Sequence, residues 1–392
     1  MEKSNSHRLS DRIDINLLFI LCLFVGISLV AVYSAQVADE TLGNIVIKQA
    51  FWFAISAILL IPMVLLDMEH YQKLAWFLYG FGVLLLAFLI VAPSSIAHTA
   101  NGAKSWYTLP GIGTFQPSEM MKPFYIVCLA RVIARHHQKD PDDHGLKRDA
   151  LLVLKTGLVT LIPLALIMKQ PDLGTSLVII AIYFTMLLVS RISIKLLAPF
   201  FGLVAAIGVG IIYMVIAHTD IMESLGIDQY QLNRILGWWD PSKISTDLTM
   251  QLQNSLLTIG TGGIYGHGPA HSPVLLPESQ NDFIFSIVAG SFGFVGGAIL
   301  IFLYFILIYL VILIGVRVSN VYGSYLCAGV VGMITFHVIE NIGMVIGLLP
   351  ITGIPLPFIS YGGSSVLGSM ISIGLVLSVK FHTRHYMFSS DI

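Results

Sequence analysis

Long apolar runs, separated by short polar connections, dominate the chain. A helix needs roughly 20 apolar residues to cross the hydrocarbon core of a bilayer. On this criterion we predict ten membrane-spanning helices, at about residues 15–35, 46–66, 74–93, 117–135, 151–169, 172–190, 196–217, 283–314, 322–346 and 358–380. The eighth run is uncharged from 283 to 316. At about 1.5 Å per residue it is longer than one bilayer, so we expect either that its first turns lie outside the membrane or that it tilts.

The basic residues orient the predicted helices. With the N-terminus in the cytoplasm, 15 of the 21 lysines and arginines fall at the cytoplasmic ends of the spans. Because cytoplasmic loops are enriched in Lys and Arg, we predict that both termini are cytoplasmic. Residues 1–14 are polar, and the apolar run after them lacks a small-residue cleavage site. The first span is therefore expected to be a retained helix and not a signal peptide.

Two long loops lie on the outer side in this orientation, at about 94–116 and about 218–282. The second is longer than a structureless connector should be. It contains apolar stretches at 235–239 and 252–259, so we expect it to fold onto the membrane surface. No internal repeat and no low-complexity tract divides the chain, so we predict a single membrane domain over residues 1–392.

Composition excludes several classes of protein. Hydrophobic residues make up 56% of the chain and charged residues 11%, whereas a soluble domain carries about 25% charged residues. The net charge of −1 gives no electrostatic basis for binding nucleic acid. A soluble globular enzyme and a disordered chain are likewise excluded. The sequence predicts an all-α polytopic membrane protein with one long extracytoplasmic loop.

Charged residues at membrane depth are candidates for function because they are costly to bury there. Glu119 and Lys122 are three residues apart, so they share one face of the fourth predicted helix. The preceding Gln116-Pro117-Ser118 is typical of a helix start. Two interpretations stay open: an internal ion pair that closes a helix end, or an anion-binding face that opens outward with Lys122 as its cation.

Two further helix starts contain carboxylates. Gln170-Pro171-Asp172 precedes the sixth span, where either a capped helix start or a function is open. The dipoles of this helix and of the fourth would favour a phosphate at the outer leaflet. Asn281-Asp282 ends the long outer loop at the eighth span. Either residue of this pair would suit an N-cap. Alternatively, partial burial at the water–lipid boundary would raise the pKa of Asp282 and make it a general base.

Three other polar patterns have mainly structural interpretations. The glycine-rich stretch 261–268 follows no strand and lacks the Gly-Lys-Ser/Thr ending of a nucleotide loop, so its glycines predict a tight turn. His267 and His271 lie within or near it without a third ligand nearby in sequence, which argues against a metal site. His337 and Glu340 are three apart in the ninth span and would pair inside the bundle.

The stretch 348–365 contains three prolines and several glycines between the last two spans. Broken backbone at membrane depth is tolerated where it packs in protein or lines a wet cavity. We therefore expect it to form the floor of a pocket or a turn between helices.

Several of these segments together resemble the shape, elongation, division and sporulation (SEDS) family of bacterial membrane proteins. The similar pieces occur in family order along nearly the whole chain: Asn101-Gly102-Ala103-Lys104-Ser105-Trp106, Phe115-Gln116-Pro117-Ser118-Glu119, Gln170-Pro171-Asp172-Leu173-Gly174-Thr175, Leu276-Pro277-Glu278 with Asp282-Phe283-Ile284-Phe285, and Ile359-Ser360-Tyr361-Gly362-Gly363-Ser364. Phe336-His337, Asn341-Ile342-Gly343-Met344 and Ile354-Pro355-Leu356-Pro357 look more like the elongation members than the division members.

The resemblance implies a multi-pass protein of the bacterial cytoplasmic membrane that polymerises lipid II into peptidoglycan during elongation and rod-shape maintenance. It implies a class B penicillin-binding protein and other elongation-complex membrane proteins as partners. The family's essential aspartate falls on Asp282, the expected catalytic residue. Its substrate-binding residues would fall on Glu119, Lys122, Arg234, Trp106, Gln116 and Ser364, with a looser match at Arg234. No cofactor is certain, although a divalent cation, Mg²⁺ or Mn²⁺, would suit pyrophosphate chemistry.

One departure from the family pattern keeps other functions open. An acidic pair usual after the aspartate is missing here, where Ala289-Gly290-Ser291-Phe292-Gly293 stands. A non-catalytic scaffold that activates a penicillin-binding protein is therefore one alternative. A lipid II flippase is another, although the polar candidates gather at the outer face and we find no paired half-repeats with broken helices at mid-membrane.

Overall fold

The computed structural model describes residues 14–93, 96–100, 103–109, 113–139, 145–224, 227, 229–240, 247–269, 271 and 276–383. The predicted polar N-terminal segment up to residue 13 lies outside these ranges, as do Asn101 and Gly102. In chain order the regular elements are α1 (Ile15–Ala38), α2 (Ile45–Leu65), α3 (Met68–Val91), β1 (Ala97–Ala100), β2 (Ala103–Leu109), β3 (Gly113–Phe115), α4 (Pro117–Lys139), α5 (Leu146–Met168), α6 (Leu173–Val189), α7 (Ile194–Ala217), α8 (Thr219–Ser224), α9 (Gln229–Trp239), α10 (Asp247–Thr261), α11 (Ile284–Arg317), α12 (Val321–Val345) and α13 (Gly363–His382), with a 3₁₀ turn at Glu40–Leu42.

Ten of the described helices, α1 to α7 and α11 to α13, occupy the ten predicted spans and confirm the polytopic class. Eight helices in the described ranges are long and apolar enough to cross a bilayer. The two others are α6, with 17 residues, and α4, which carries several charges. Helix α4 packs among α3, α5, α12 and α13, and most of its side chains are buried. A helix enclosed by other helices needs no lipid-facing apolar surface, so its charges are tolerated.

The first outer loop forms a small sheet that the sequence did not predict. Strands β1, β2 and β3 pair antiparallel in that order, with a register irregularity at His98 and Thr99. Two side chains of β2 anchor the sheet to the helices: the Tyr107 hydroxyl donates to Leu85 O at 2.7 Å, and the Ser105 hydroxyl donates to Gln170 O at 3.1 Å. The all-α prediction therefore holds for the membrane domain but not for this loop.

The second outer loop is largely helical in its described part. It contains α8, α9 and α10, in agreement with the expectation that it folds. The Trp238 indole donates to Gly347 O at 3.0 Å and so ties α9 to the end of α12. The Ser255 hydroxyl donates to Val345 O at 2.8 Å and ties α10 to the same place. The loop thus covers the outer ends of the last helices.

Helix α11 is broken near its start, which explains its excessive length. Gly293 has φ 67° and ψ −164°, a conformation that is essentially restricted to glycine. The amides of Phe294 and Val295, freed by the break, donate to Gly263 O at 2.9 Å and Ile264 O at 3.1 Å. The predicted tight glycine turn after α10 therefore satisfies the backbone of a broken helix.

The proline- and glycine-rich segment between α12 and α13 runs without helix from about 346 to 362. It is buried: Leu356, Phe358 and Ile359 are at most 1% exposed. Gln49 of α2 is also fully buried, and its amide donates to Ser360 O at 3.0 Å. The segment is thus packed inside the protein, and its carbonyls are available to neighbouring side chains.

Candidate active site

Asp282 lies in the turn that leads into α11, and its side chain does not cap that helix. The N-cap position is Phe283, which makes no side-chain capping bond. The Asn281 side chain bonds to the preceding turn and not to the helix, since its amide donates to Glu278 Oε2 at 2.6 Å. The N-cap interpretation of Asn281-Asp282 is therefore wrong. Asp282 itself is half-buried.

The Asp282 carboxylate and the Arg234 guanidinium meet at Gly353. A Cβ placed on Gly353 would lie 3.2 Å from Asp282 Oδ2 and 3.6 Å from Arg234 Nη2. Gly353 has φ +74°, so glycine is favoured here both by conformation and by space. Arg234 Nη1 also donates to Thr352 O at 2.9 Å. Helix α9 thus brings a cation to the aspartate across the buried segment.

The surroundings of Asp282 oppose its ionisation. Burial raises the pKa of Asp282 to about 7, and the Glu278 carboxylate adds to this rise, while the Arg234 guanidinium opposes it. A carboxylate with a pKa near neutrality exchanges protons readily at physiological pH, as a general base must.

Glu119 and Lys122 form an internal ion pair. Lys122 Nζ donates to Glu119 Oε1 at 2.7 Å, and each side chain is 3% exposed. Lys122 Nζ also lies 2.9 Å from His337 Nε2. Because an ammonium group only donates, His337 Nε2 must accept, so the proton sits on Nδ1, which faces Pro355 O at 3.0 Å. The ion-pair interpretation is confirmed, whereas a role of Lys122 toward substrate stays a prediction.

A second polar cluster joins the starts of α4, α6 and α13. The Gln116 amide donates to Asp172 Oδ2 at 3.0 Å, and Gln116 N donates to Ser364 Oγ at 2.9 Å. Asp172 caps α6 by accepting from Thr175 N at 3.0 Å, as predicted. Trp106 is half-buried on β2, the strand that is anchored at the start of α6.

Helix α12 connects the ion pair with the aspartate. His337 contacts Lys122, and Asn341, one turn later, donates to Asp282 O at 2.7 Å. In the sequence, Asn341 stood out only as part of an elongation-type motif, and His337 was predicted to pair with Glu340. The four-residue spacing of His337 and Asn341, which puts both on one helix face, was the signal that could have identified them.

The residues near Asp282 offer few ligands for a metal ion. In the part of the chain that the structure describes, no group of three or more His, Cys, Asp or Glu side chains is placed to hold one. Mg²⁺ often binds proteins through one or two carboxylates and takes its other ligands from phosphate and water. Asp282 and Glu278 are the carboxylates that would fill this role beside a phosphorylated ligand.

The chain is similar to known proteins over almost its whole length. The family of cell cycle proteins named for FtsW, RodA and SpoVE matches residues 13–385. A peptidoglycan glycosyltransferase RodA of Treponema pallidum is 29% identical, with 94% of this chain and 97% of the relative covered. A probable peptidoglycan glycosyltransferase FtsW of Nitrosomonas europaea is 31% identical, with 95% and 94% covered.

A solved structure has the same fold. It matches with a TM-score of 0.75 and 26% identity over 94% of this chain and 97% of its own. It comes from work on how a peptidoglycan synthase complex coordinates polymerization and crosslinking.

Proposed function

The chain belongs to the FtsW, RodA and SpoVE family of cell cycle proteins, and from this premise we propose that it is a peptidoglycan glycosyltransferase that polymerises lipid II. It is a multi-pass protein of the bacterial cytoplasmic membrane. The similarity to RodA and the elongation-type motifs around His337 and Asn341 support a role in elongation and rod shape. Orientation by basic residues puts Asp282 at the outer face, where the lipid-linked sugar is polymerised.

The observation that carries the proposal is the half-buried Asp282 carboxylate beside the Arg234 guanidinium. In the reaction, the 4-hydroxyl of one disaccharide attacks the anomeric carbon of the other glycan. A new C–O bond forms, the bond to pyrophosphate breaks, and polyprenyl pyrophosphate leaves. Asp282 accepts the hydroxyl proton, a transfer that typically contributes about 10²–10⁴-fold.

The leaving pyrophosphate needs positive charge rather than a strong acid. Arg234 is placed to meet this charge beside Asp282. Lys122, with Glu119, Gln116, Ser364 and Trp106, is proposed to bind the substrate. A divalent cation held by Asp282 and Glu278 would add charge neutralisation at the phosphates when bound.

A class B penicillin-binding protein is the proposed partner, since polymerised glycan must be crosslinked. The structural similarity to a chain from a peptidoglycan synthase complex supports this proposal.

The decisive experiment uses the purified full-length chain in liposomes with lipid II and no other transferase. We expect glycan polymer from the unmodified protein and almost none from Asp282→Asn. Asp220→Asn, a carboxylate change on α8 in the same outer loop, should leave polymerisation unchanged. Lipid II translocation without chain growth by the unmodified protein would contradict the proposal, as would full polymerisation by Asp282→Asn.

A further inference from the structure

Asn341 makes two hydrogen bonds that join separate parts of the active site. Its side chain is fully buried on α12. Nδ2 donates to Asp282 O at 2.7 Å and to Ile354 O at 2.8 Å. Because both neighbours are carbonyl oxygens, the amide nitrogen must face them, and both of its hydrogens are used.

These two carbonyls belong to the two sides of the candidate site. One is the main chain of Asp282 itself. The other follows Gly353, the residue at which the Asp282 carboxylate meets the Arg234 guanidinium. The Asn341 nitrogen therefore fixes the distance between two backbone segments. One carries Asp282, and the other, at Gly353, is the segment beside which the Asp282 and Arg234 side chains lie.

We propose that Asn341 is a positioning residue that holds Asp282 at the distance from Gly353 and Arg234 that the glycosyl transfer needs. The inference rests on the proposed function of Asp282 as the base. Asn341 itself touches neither the carboxylate nor, on this proposal, the substrate. It acts through the two main chains that it joins.

The surroundings of Asn341 make it a rigid support. His337, one turn earlier on α12, faces Pro355 O at 3.0 Å, so the helix holds two successive carbonyls of the segment. Helix α6 also contacts the segment, since a Cβ on Gly174 would lie only 2.4 Å from Ile354 Cγ2 and 3.0 Å from Thr352 O. The segment is thus held by both α12 and α6.

Two substitutions test the role. Asn341→Leu keeps the branched shape of the side chain, with bulkier methyl groups in place of the amide, and removes both donors. Asn341→Asp also removes them and adds a negative charge near the carboxylates of Asp282 and Glu278. The control is Tyr79→Phe, which removes another buried donor, to Val159 O at 2.7 Å, between α3 and α5. Each full-length variant is reconstituted, its thermal unfolding is recorded, and kcat and KM for lipid II are measured against pH.

We expect Asn341→Leu to lower kcat by about 10- to 100-fold, the effect of a small misplacement of a reacting group, with little change in KM. In Asn341→Asp, the added charge disfavours ionisation of Asp282, so the acid limb of its pH profile should move to higher pH. Tyr79→Phe should keep the unmodified kcat and profile. A merely structural role would lower the unfolding temperature of Asn341→Leu and leave the kcat of the folded protein unchanged.

An Asn341→Leu protein with unmodified kcat would overturn the inference. If that variant does not fold, Asn341→Asp decides, and an unmodified kcat in it would overturn the inference equally. Failure of the unmodified protein to polymerise lipid II would instead refute the proposed function. The two failures are therefore distinguishable.

Discussion

Asp282 can accept a proton only when it is ionised, so its pKa sets the pH range of the reaction. Burial and Glu278 raise that pKa to about 7. We therefore predict that kcat/KM for lipid II falls as the pH drops through about 7. Because Glu278 disfavours ionisation of Asp282, Glu278→Gln should lower the pKa and move the acid limb to lower pH.

Initial rates of glycan formation over a pH series measure this shift. Glu223→Gln on α8 is the matched control, since Glu223 is an exposed acid of the same outer loop. This control substitution should leave the acid limb of the pH profile in place. An acid limb that stays put or moves to higher pH in Glu278→Gln would show that Glu278 does not govern Asp282.

The Glu119–Lys122 pair gives a second prediction for single residues, because each side chain is only 3% exposed to solvent. Breaking a buried pair by removing one partner costs about 3–5 kcal/mol, whereas replacing both partners is far milder. Lys122→Met should therefore lower the unfolding temperature strongly, and Glu119→Gln with Lys122→Met should recover part of the loss. Thermal unfolding in detergent measures both. A double variant less stable than Lys122→Met would contradict the prediction.

Single residues were predictable where their chemistry is local. Asp172 caps α6 as the sequence indicates, and the spacing of Glu119 and Lys122 already places them on one face. The contacts of Asn341 were missed because its partners are main-chain carbonyls 13 and 59 residues away. One sequence gives no signal for such partners, since any residue could supply the carbonyl.

At the scale of an element, the break in α11 predicts how a substitution at Gly293 affects stability. A Cβ on Gly293 would lie 2.4 Å from the Ile264 backbone, and alanine is strained in its conformation by about 1–3 kcal/mol. Gly293→Ala should therefore destabilise the protein clearly in thermal unfolding. Gly208→Ala on α7 is the control, because nothing lies within 4 Å of its added Cβ. Equal unfolding temperatures for the two variants would argue against the break.

Element type followed from the sequence wherever a long apolar run marks a membrane-spanning helix, as it does in the ten spans. The run of α11 was too long for one upright span, although its break was not predicted. The sheet was missed because its alternation is not hydrophobic: within residues 104–108 of β2, the buried positions are Ser105 and Tyr107, with Trp106 between them. Because the buried Ser105, which donates to Gln170 O, is polar, the strand lacks the apolar–polar alternation by which strands are identified.

At the scale of the whole molecule, the buried Glu119–Lys122 pair lies among helices that also carry many exposed apolar side chains. In the apolar 18-residue stretch of each helix, only 6% of the residues of α7 are buried, whereas 78% of those of α13 are. Helix α7 therefore faces lipid, while α13, α12 and α4 form the interior that carries the ion pair and supports Asp282. Hydropathy partly reflects this order, since the exposed α7 is more apolar than the buried α12 and α13, and a helix enclosed by others tolerates polar residues.

Orientation in the membrane is the property of the whole chain on which the position of the active site depends. The excess of basic residues at one end of the helices predicts that both termini are cytoplasmic and that Asp282 is outside. Cysteines introduced at two exposed positions test this: His271 in the long outer loop and Lys147 at the start of α5. The exposed Cys22 is first replaced by serine, since the other two cysteines are buried. In intact spheroplasts, a membrane-impermeant maleimide should label His271→Cys. It should label Lys147→Cys only after the spheroplasts are permeabilised. The opposite pattern would put Asp282 on the cytoplasmic side, out of reach of a polymerising substrate at the outer face.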